Sequence, residues 1–206
     1  MSTPRYTVPG MTPDQAREVI DQLRMRLHAL NDLALTLKHV HWNVVGPHFI
    51  AVHTMIDPQV ESVRAMVDET AERIATLGGS PDGTPGTLVS ERTWDNYKLG
   101  RADALEHLIA LDHVYTGIIA DQRKAAQASG PVDPVTEDML IGHLHSLEQF
   151  HWFVRAHHET ATGSLDETAP ARTPAKAAAK APVKAAAKAP AKSTAGRTPA
   201  KGRKKA

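Results

Sequence analysis

Residues 47–79 of this 206-residue chain are PHFIAVHTMIDPQVESVRAMVDETAERIATLGG, and this stretch decides the fold. From Pro47 to Leu77 the sequence is typical of one long helix. Pro47 suits the first turn of a helix, and the pair Gly78 and Gly79 is a typical stop signal. We therefore predict a single long helix over Pro47 to Leu77.

Four potential metal ligands lie on one face of this predicted helix: His53, Asp57, Asp68 and Glu72. At about 100° per residue, they fall within a stripe about 100° wide. The first two are four residues apart, as are the last two, so each couple could chelate one ion. The couples are separated by about 16 Å along the helix, and one ion cannot reach both.

Two copies of the helix, packed antiparallel about a two-fold axis, would remove this separation. The first couple of one subunit would then face the second couple of the other, and His41 on the preceding helix could close the site. Such a set of imidazole and carboxylate ligands suits iron, manganese or zinc. Spacing leaves one alternative open, an ordinary solvated face with incidental histidines and an ion pair between Glu61 and Arg64.

Three further helical patterns flank this helix. They begin near Thr12, near Leu99 and at Asp133, and the last two end near Ala128 and before Gly163. The first pattern places six apolar residues on one face: Val19, Leu23, Leu27, Leu30, Ala34 and Leu37.

The connections indicate how the four helices are arranged. A turn-rich crossover of about 20 residues joins the second helix to the third, and a short helix is expected around Trp94. This pattern favours an all-α, ferritin-like four-helix bundle with one long connection. Strands are not expected, because almost nothing alternates with a period of two. Pro58, inside the ligand-bearing helix, predicts a kink beside Asp57.

A di-iron site inside the bundle is incomplete in this chain. Such sites use a Glu-x-x-His motif from each of two helices. The chain has one such motif, Glu148 to His151, and no second one. We therefore interpret His151 as a core or interface histidine and place the metal sites between subunits.

The net charge of +1 conceals two oppositely charged parts. Residues 1–167 hold all 23 acidic residues and 13 basic ones, a net charge of −10, whereas residues 168–206 hold 11 basic residues and no acidic one. We predict a globular domain over 1–167 and a polyanion-binding tail over 168–206.

Composition also excludes several classes of protein. The chain has no cysteine, which excludes disulfides and thiolate metal ligands. The first residues contain no apolar run typical of a signal peptide, and no stretch approaches the roughly 18 apolar residues of a membrane helix. We therefore expect a cytoplasmic protein without a membrane partner.

Residues 39–79 resemble the signature of the Dps family, the DNA-protecting proteins of starved bacterial cells that are also called miniferritins. The motifs H-W-N, H-x-x-x-D and D-x-x-x-E occur in the same order as in the family. The segments N-V-V-G-P and M-I-D-P-Q-V are most similar to those of actinobacterial members. The resemblance covers about residues 10–160. It implies a hollow dodecamer that oxidises ferrous iron, commonly with hydrogen peroxide, and stores the ferric product.

The resemblance also assigns roles to individual residues. The family's ferroxidase ligands map onto five positions: His41, His53 and Asp57 of one subunit, with Asp68 and Glu72 of its two-fold partner. Trp42 matches a tryptophan thought to trap stray oxidising equivalents; a buried packing aromatic is the alternative.

Other residues carry weaker expectations. Asp121 and Asp138 are candidates for the channels that admit Fe²⁺, or else solvated surface residues. His157 and His158 could add a secondary metal site, and the remaining histidines receive no role.

The tail is rich in Ala, Lys and Pro, is similar to linker-histone tails, and is expected to be disordered because it lacks apolar anchors. Its candidate DNA-binding residues are Lys176, Lys180, Lys184, Lys188, Lys192, Arg197, Lys201, Arg203, Lys204 and Lys205. Contacts to phosphates would bind DNA without sequence preference and associate the protein with the nucleoid. Two alternatives stay open: a solubilising or membrane-touching tail, and an architectural DNA-compacting protein whose helical body only oligomerises.

Overall fold

The computed structural model describes residues 4–159, which form five α-helices and one short pair of strands. In chain order these are α1 (Pro13–Asn43), β1 (Val44–Val45), α2 (Phe49–Thr76), α3 (Pro85–Glu91), β2 (Ala102–Asp103), α4 (Ala104–Ser129) and α5 (Pro134–Ala156). The four long helices and the short helix in the crossover confirm the predicted ferritin-like architecture. The tail and its ten candidate DNA-binding residues lie outside the described residues.

The helices pack as two pairs, α1 against α2 and α4 against α5, and α1 also contacts α4. The apolar face predicted for α1 is buried from Val19 to Leu37. Thr12 begins this helix as predicted, since its side chain and that of Gln15 cap each other's backbone amides. None of the described helices is both long enough and apolar enough to cross a membrane.

Two predicted helix starts are wrong, by two residues for α2 and by five for α4. α2 begins at Phe49, because Pro47 belongs to the turn before it. α4 begins at Ala104 and not near Leu99, because Asp103 and Glu106 form a capping box at that point. α5 ends at Ala156, before Gly163 as predicted.

The crossover also differs from the prediction. Its short helix is Pro85–Glu91, and Trp94 lies beyond it, where the indole Nε1 donates to Asp32 Oδ2 of α1 at 2.6 Å. The strands β1 and β2 were not predicted. They pair in parallel over two residues each, which is too short to give an alternating pattern.

Candidate metal site on helices α1 and α2

A sharp chain reversal between α1 and α2 brings the first predicted ligands together. His41 lies in the last turn of α1, and His53 and Asp57 lie in the first turns of α2. Gly46 makes the reversal possible, because its φ of +95° favours glycine and a Cβ there would clash with the Asp103 carboxylate. The β1–β2 pairing fixes this turn against the start of α4.

The rings of His41 and His53 are stacked, with centroids 3.7 Å apart. Each ring bonds the backbone carbonyl of the other residue: His41 Nδ1 to His53 O at 3.0 Å, and His53 Nδ1 to His41 O at 2.9 Å. A carbonyl only accepts, so each Nδ1 carries the proton and donates. In the neutral rings, Nε2 therefore keeps the lone pair that a metal ion needs.

Asp57 stands beside this histidine pair. Its Oδ1 accepts a hydrogen bond from Lys38 Nζ at 3.0 Å and lies 3.2 Å from His41 Nδ1. The hydrogen bond from Lys38 lowers the pKa of Asp57 below its ordinary value, and the charge of Lys38 adds to this effect. The carboxylate is therefore ionised at neutral pH, and its side chain is half exposed.

Asp68 and Glu72 lie farther along α2, and both are exposed. Nothing in residues 4–159 joins them to the histidine pair, and no three His, Asp or Glu side chains of this part of the chain are grouped to hold a metal ion. One chain thus places Asp57 next to the His41–His53 pair without forming a complete metal-binding group, and leaves Asp68 and Glu72 on an open face. The contribution of a second subunit stays a prediction.

Trp42 is 71% exposed in the single chain, so it does not pack in the core of its own subunit. The alternative of a packing aromatic stays open for a surface covered by another subunit. Lys38 Nζ lies 5.9 Å from the centre of the Trp42 ring. Leu35, about two helical turns earlier on the same face of α1, is 63% exposed. Large apolar side chains exposed on one face are typical of a surface that another protein covers.

Asp121 and Asp138, the candidate residues of an iron channel, have different surroundings. Asp121 is exposed and accepts from Lys124 Nζ at 2.9 Å. Asp138 lines an open cleft of about 360 Å³ between α2 and α5. The role of either residue in a channel stays a prediction.

The C-terminal histidines, on α5 and directly after it, lie in two different environments. His151 Nε2 lies 2.7 Å from Asp112 Oδ1 of α4, which fits a core histidine. His158 is buried near the same carboxylate, whereas His157 is exposed and bonds the Phe153 carbonyl. Sequence reasoning missed both Asp112 and Lys38, whose partners lie on other helices.

Comparison with known proteins identifies the family to which the relatives of this chain belong. The ferritin-like domain profile matches residues 20–163. The chain is 56% identical over 160 residues to the DNA protection during starvation protein of Mycolicibacterium smegmatis, across 78% of this chain and 87% of that protein. It is 48% identical to the fine tangled pili major subunit of Haemophilus ducreyi, across 78% and 85% of the two chains.

Solved structures agree with the sequence relatives. DpsA14 from Streptomyces coelicolor is 65% identical, with a TM-score of 0.79 over 80% of this chain and 98% of that one. Mycobacterium smegmatis Dps is 53% identical, with a TM-score of 0.79 over 83% and 97%.

Proposed function

Because this chain belongs to the Dps family of ferritin-like proteins, we propose that it oxidises Fe²⁺ to Fe³⁺ at sites shared by two subunits. Family membership indicates a general role in iron storage and DNA protection. The observation that carries the finer proposal is the reciprocal bonding of His41 and His53, which leaves the Nε2 atom of each neutral ring with the lone pair that an ion needs. The ionised Asp57 lies next to the pair, with Oδ1 3.2 Å from His41 Nδ1.

The proposed site takes His41, His53 and Asp57 from one subunit and Asp68 and Glu72 from its two-fold partner. The exposure of the last two residues supports this division, because a partner subunit can reach them. Two imidazoles and three carboxylates are suitable ligands for Fe²⁺, although zinc or manganese would also fit them. Iron is the substrate of the site and leaves it for storage as ferric mineral inside a hollow dodecamer.

The charge of this ligand set favours oxidation. Three carboxylates stabilise Fe³⁺ more than Fe²⁺, because the attraction between charges grows with the charge of the ion. Two Fe²⁺ ions each release one electron, and one hydrogen peroxide takes up both electrons and two protons to give two waters. Coupling the two electrons in this way produces no hydroxyl radical; oxygen is the alternative oxidant.

Trp42 is proposed to trap oxidising species that escape from the site. It directly follows His41, and its ring lies 5.9 Å from the Lys38 Nζ that pairs with Asp57, so it is close enough to the site to give up an electron to an oxidising species that escapes. The DNA-binding role is assigned to the basic residues of 168–206, whose 11 positive charges would contact phosphates at the nucleoid in the cytoplasm. Many tails on one shell would add avidity and could bridge DNA duplexes.

The decisive experiment adds Fe²⁺ anaerobically to metal-free protein and then titrates with hydrogen peroxide, following ferric absorbance and plasmid nicking. We expect rapid oxidation at about two Fe²⁺ per shared site, with intact plasmid. Oxidation no faster than that of free iron would overturn the proposal. It would instead favour a DNA-compacting protein whose helical body only oligomerises.

A further inference from the structure

A buried histidine, His158, lies just after the end of α5. Its side chain is 3% exposed, and neither ring nitrogen has a hydrogen-bond partner among residues 4–159. It is the only buried histidine of this part of the chain for which both nitrogens lack one. Because burying a polar atom without a partner costs free energy, the position of this ring points to a polar ligand.

A carboxylate of α4 faces this histidine. Asp112 Oδ1 lies 4.0 Å from His158 Nε2, which is too far for a hydrogen bond. The same oxygen accepts a hydrogen bond of 2.7 Å from His151 Nε2 on α5. A carboxylate oxygen has a second lone pair, so Oδ1 can accept this bond and still bind an ion. His151 therefore fixes the orientation of the carboxylate beside His158.

The distance between the two facing atoms suits a bridging divalent metal ion. Zinc binds an imidazole nitrogen at about 2.0–2.1 Å and a carboxylate oxygen at about 2.0–2.2 Å. An ion between His158 Nε2 and Asp112 Oδ1 would thus span the observed 4.0 Å. The tetrahedral angle that zinc adopts needs these atoms about 3.4 Å apart, and a small rotation of the His158 ring reaches that distance.

We propose that Asp112 and His158 bind a divalent transition-metal ion such as Zn²⁺, with His151 as a positioning residue for the carboxylate. This site uses no residue of the proposed iron-oxidation site and does not depend on it. Two side chains would bind the ion and water would complete its coordination, in agreement with the absence of any three-ligand group in residues 4–159. The sequence paired His157 with His158, but the His157 ring is exposed and bonds the Phe153 carbonyl.

A bound ion would connect the end of α5 to α4. α5 ends at Ala156, two residues before His158, whereas Asp112 lies within α4. The two ligands are 46 positions apart in sequence and lie close together only in the folded chain. An ion that binds the folded state alone stabilises it by mass action, so the unfolding midpoint should rise with the Zn²⁺ concentration.

The test uses full-length, metal-free protein that carries His53→Ala, because this change removes a ligand of the iron-oxidation site. Calorimetry measures the affinity for Zn²⁺ of this parent and of proteins that also carry His158→Gln, Asp112→Asn or His157→Gln. His157→Gln is the matched control, since it removes the neighbouring but exposed imidazole. Circular dichroism establishes that each variant is folded. Anomalous scattering at the zinc edge, from crystals of the parent, locates the ion.

We expect the parent to bind about one Zn²⁺ per chain between His158 and Asp112. His158→Gln and Asp112→Asn should each weaken binding by at least about tenfold, and His157→Gln should leave it unchanged. Unchanged affinity in both of the first two variants overturns the site. Equal losses in His157→Gln and His158→Gln, with Asp112→Asn unaffected, would assign the ion to the adjacent histidines and overturn it too. If a variant does not fold, the anomalous peak decides, and its absence between the two side chains overturns the proposal.

Discussion

At the scale of single residues, two histidines at the start of α2 differ in what surrounds them. His53 stacks on His41 and bonds its carbonyl, whereas His48 is exposed and makes no side-chain bond at the helix cap. The two residues therefore form a matched pair for testing the site, since one is positioned by its neighbours and the other is not.

We predict that His53→Ala slows peroxide-driven Fe²⁺ oxidation by at least about tenfold, because the site loses an imidazole ligand. His48→Ala should oxidise iron at the parent rate. Stopped-flow ferric absorbance at equal iron loading measures both variants. Rapid oxidation retained in His53→Ala would refute the proposed ligand set.

At the scale of the secondary-structure elements, a buried ion pair connects the end of α2 to the start of α5. Arg73 donates to Asp133 Oδ2 at 2.6 Å and to Thr136 Oγ1 at 2.9 Å. Both charged side chains are largely buried, at 14% and 5% exposure. Losing one partner of such a pair leaves an uncompensated buried charge.

Replacing Arg73 with leucine should therefore lower the free energy of unfolding by about 3 kcal/mol. Arg123→Leu is the matched control, since Arg123 pairs with Glu148 at the surface, where the expected loss is below about 1 kcal/mol. Denaturant titrations at one protein concentration measure both, because assembly makes stability depend on concentration. Equal losses in the two variants would contradict the importance of the buried pair.

The same ion pair predicts sensitivity to acid. Burial alone would raise the pKa of Asp133, but hydrogen bonds from Arg73 and Thr136 outweigh it and hold the pKa below its ordinary value. The resulting stabilisation is complete above the unfolded value of about 3.9 and is lost as pH falls through the folded value. We expect Asp133→Asn to lack this part of the acid dependence in denaturant titrations. A parent-like pH profile in that variant would argue against it.

At the scale of the whole molecule, sites shared by two subunits predict complementation. A mixed dimer of His53→Ala and Glu72→Gln subunits contains one doubly altered site and one intact site. Refolding the two variants together in equal amounts should restore about one quarter of the sites, through random pairing. Stoichiometric Fe²⁺ oxidation counts the sites. If each site lies within one subunit, the mixture will be as inactive as its components.

The charge division between body and tail predicts a separation of functions. Deleting residues 168–206 removes 11 basic residues and should abolish DNA binding while preserving iron oxidation. In the full chain, log K should fall by about 0.9 per neutralised phosphate for each tenfold rise in salt. Gel shifts over a salt series measure both effects. Undiminished DNA binding after the deletion would place the DNA contacts on the body instead.

Local patterns accounted for much of the fold. The apolar face of α1 and the cap at Thr12 depend on residues within a few positions of each other, so they can be recognised in the sequence. The predicted start of α4 near Leu99 is wrong, because Ala102 and Asp103 form the strand β2. Their pairing with β1, which is distant in sequence, gives them another conformation.

The sequence by itself determined the helical architecture, because periodicity is a property of short windows. Through the resemblance it also predicted the five ligand positions, because motif spacing is equally local. Only the tertiary structure decided that Lys38 binds Asp57, that each histidine of the pair bonds the other's carbonyl, and that Trp42 is exposed. These contacts depend on the chain reversal at Gly46 and on the packing of α1 against α2. Both bring together residues that no local pattern connects.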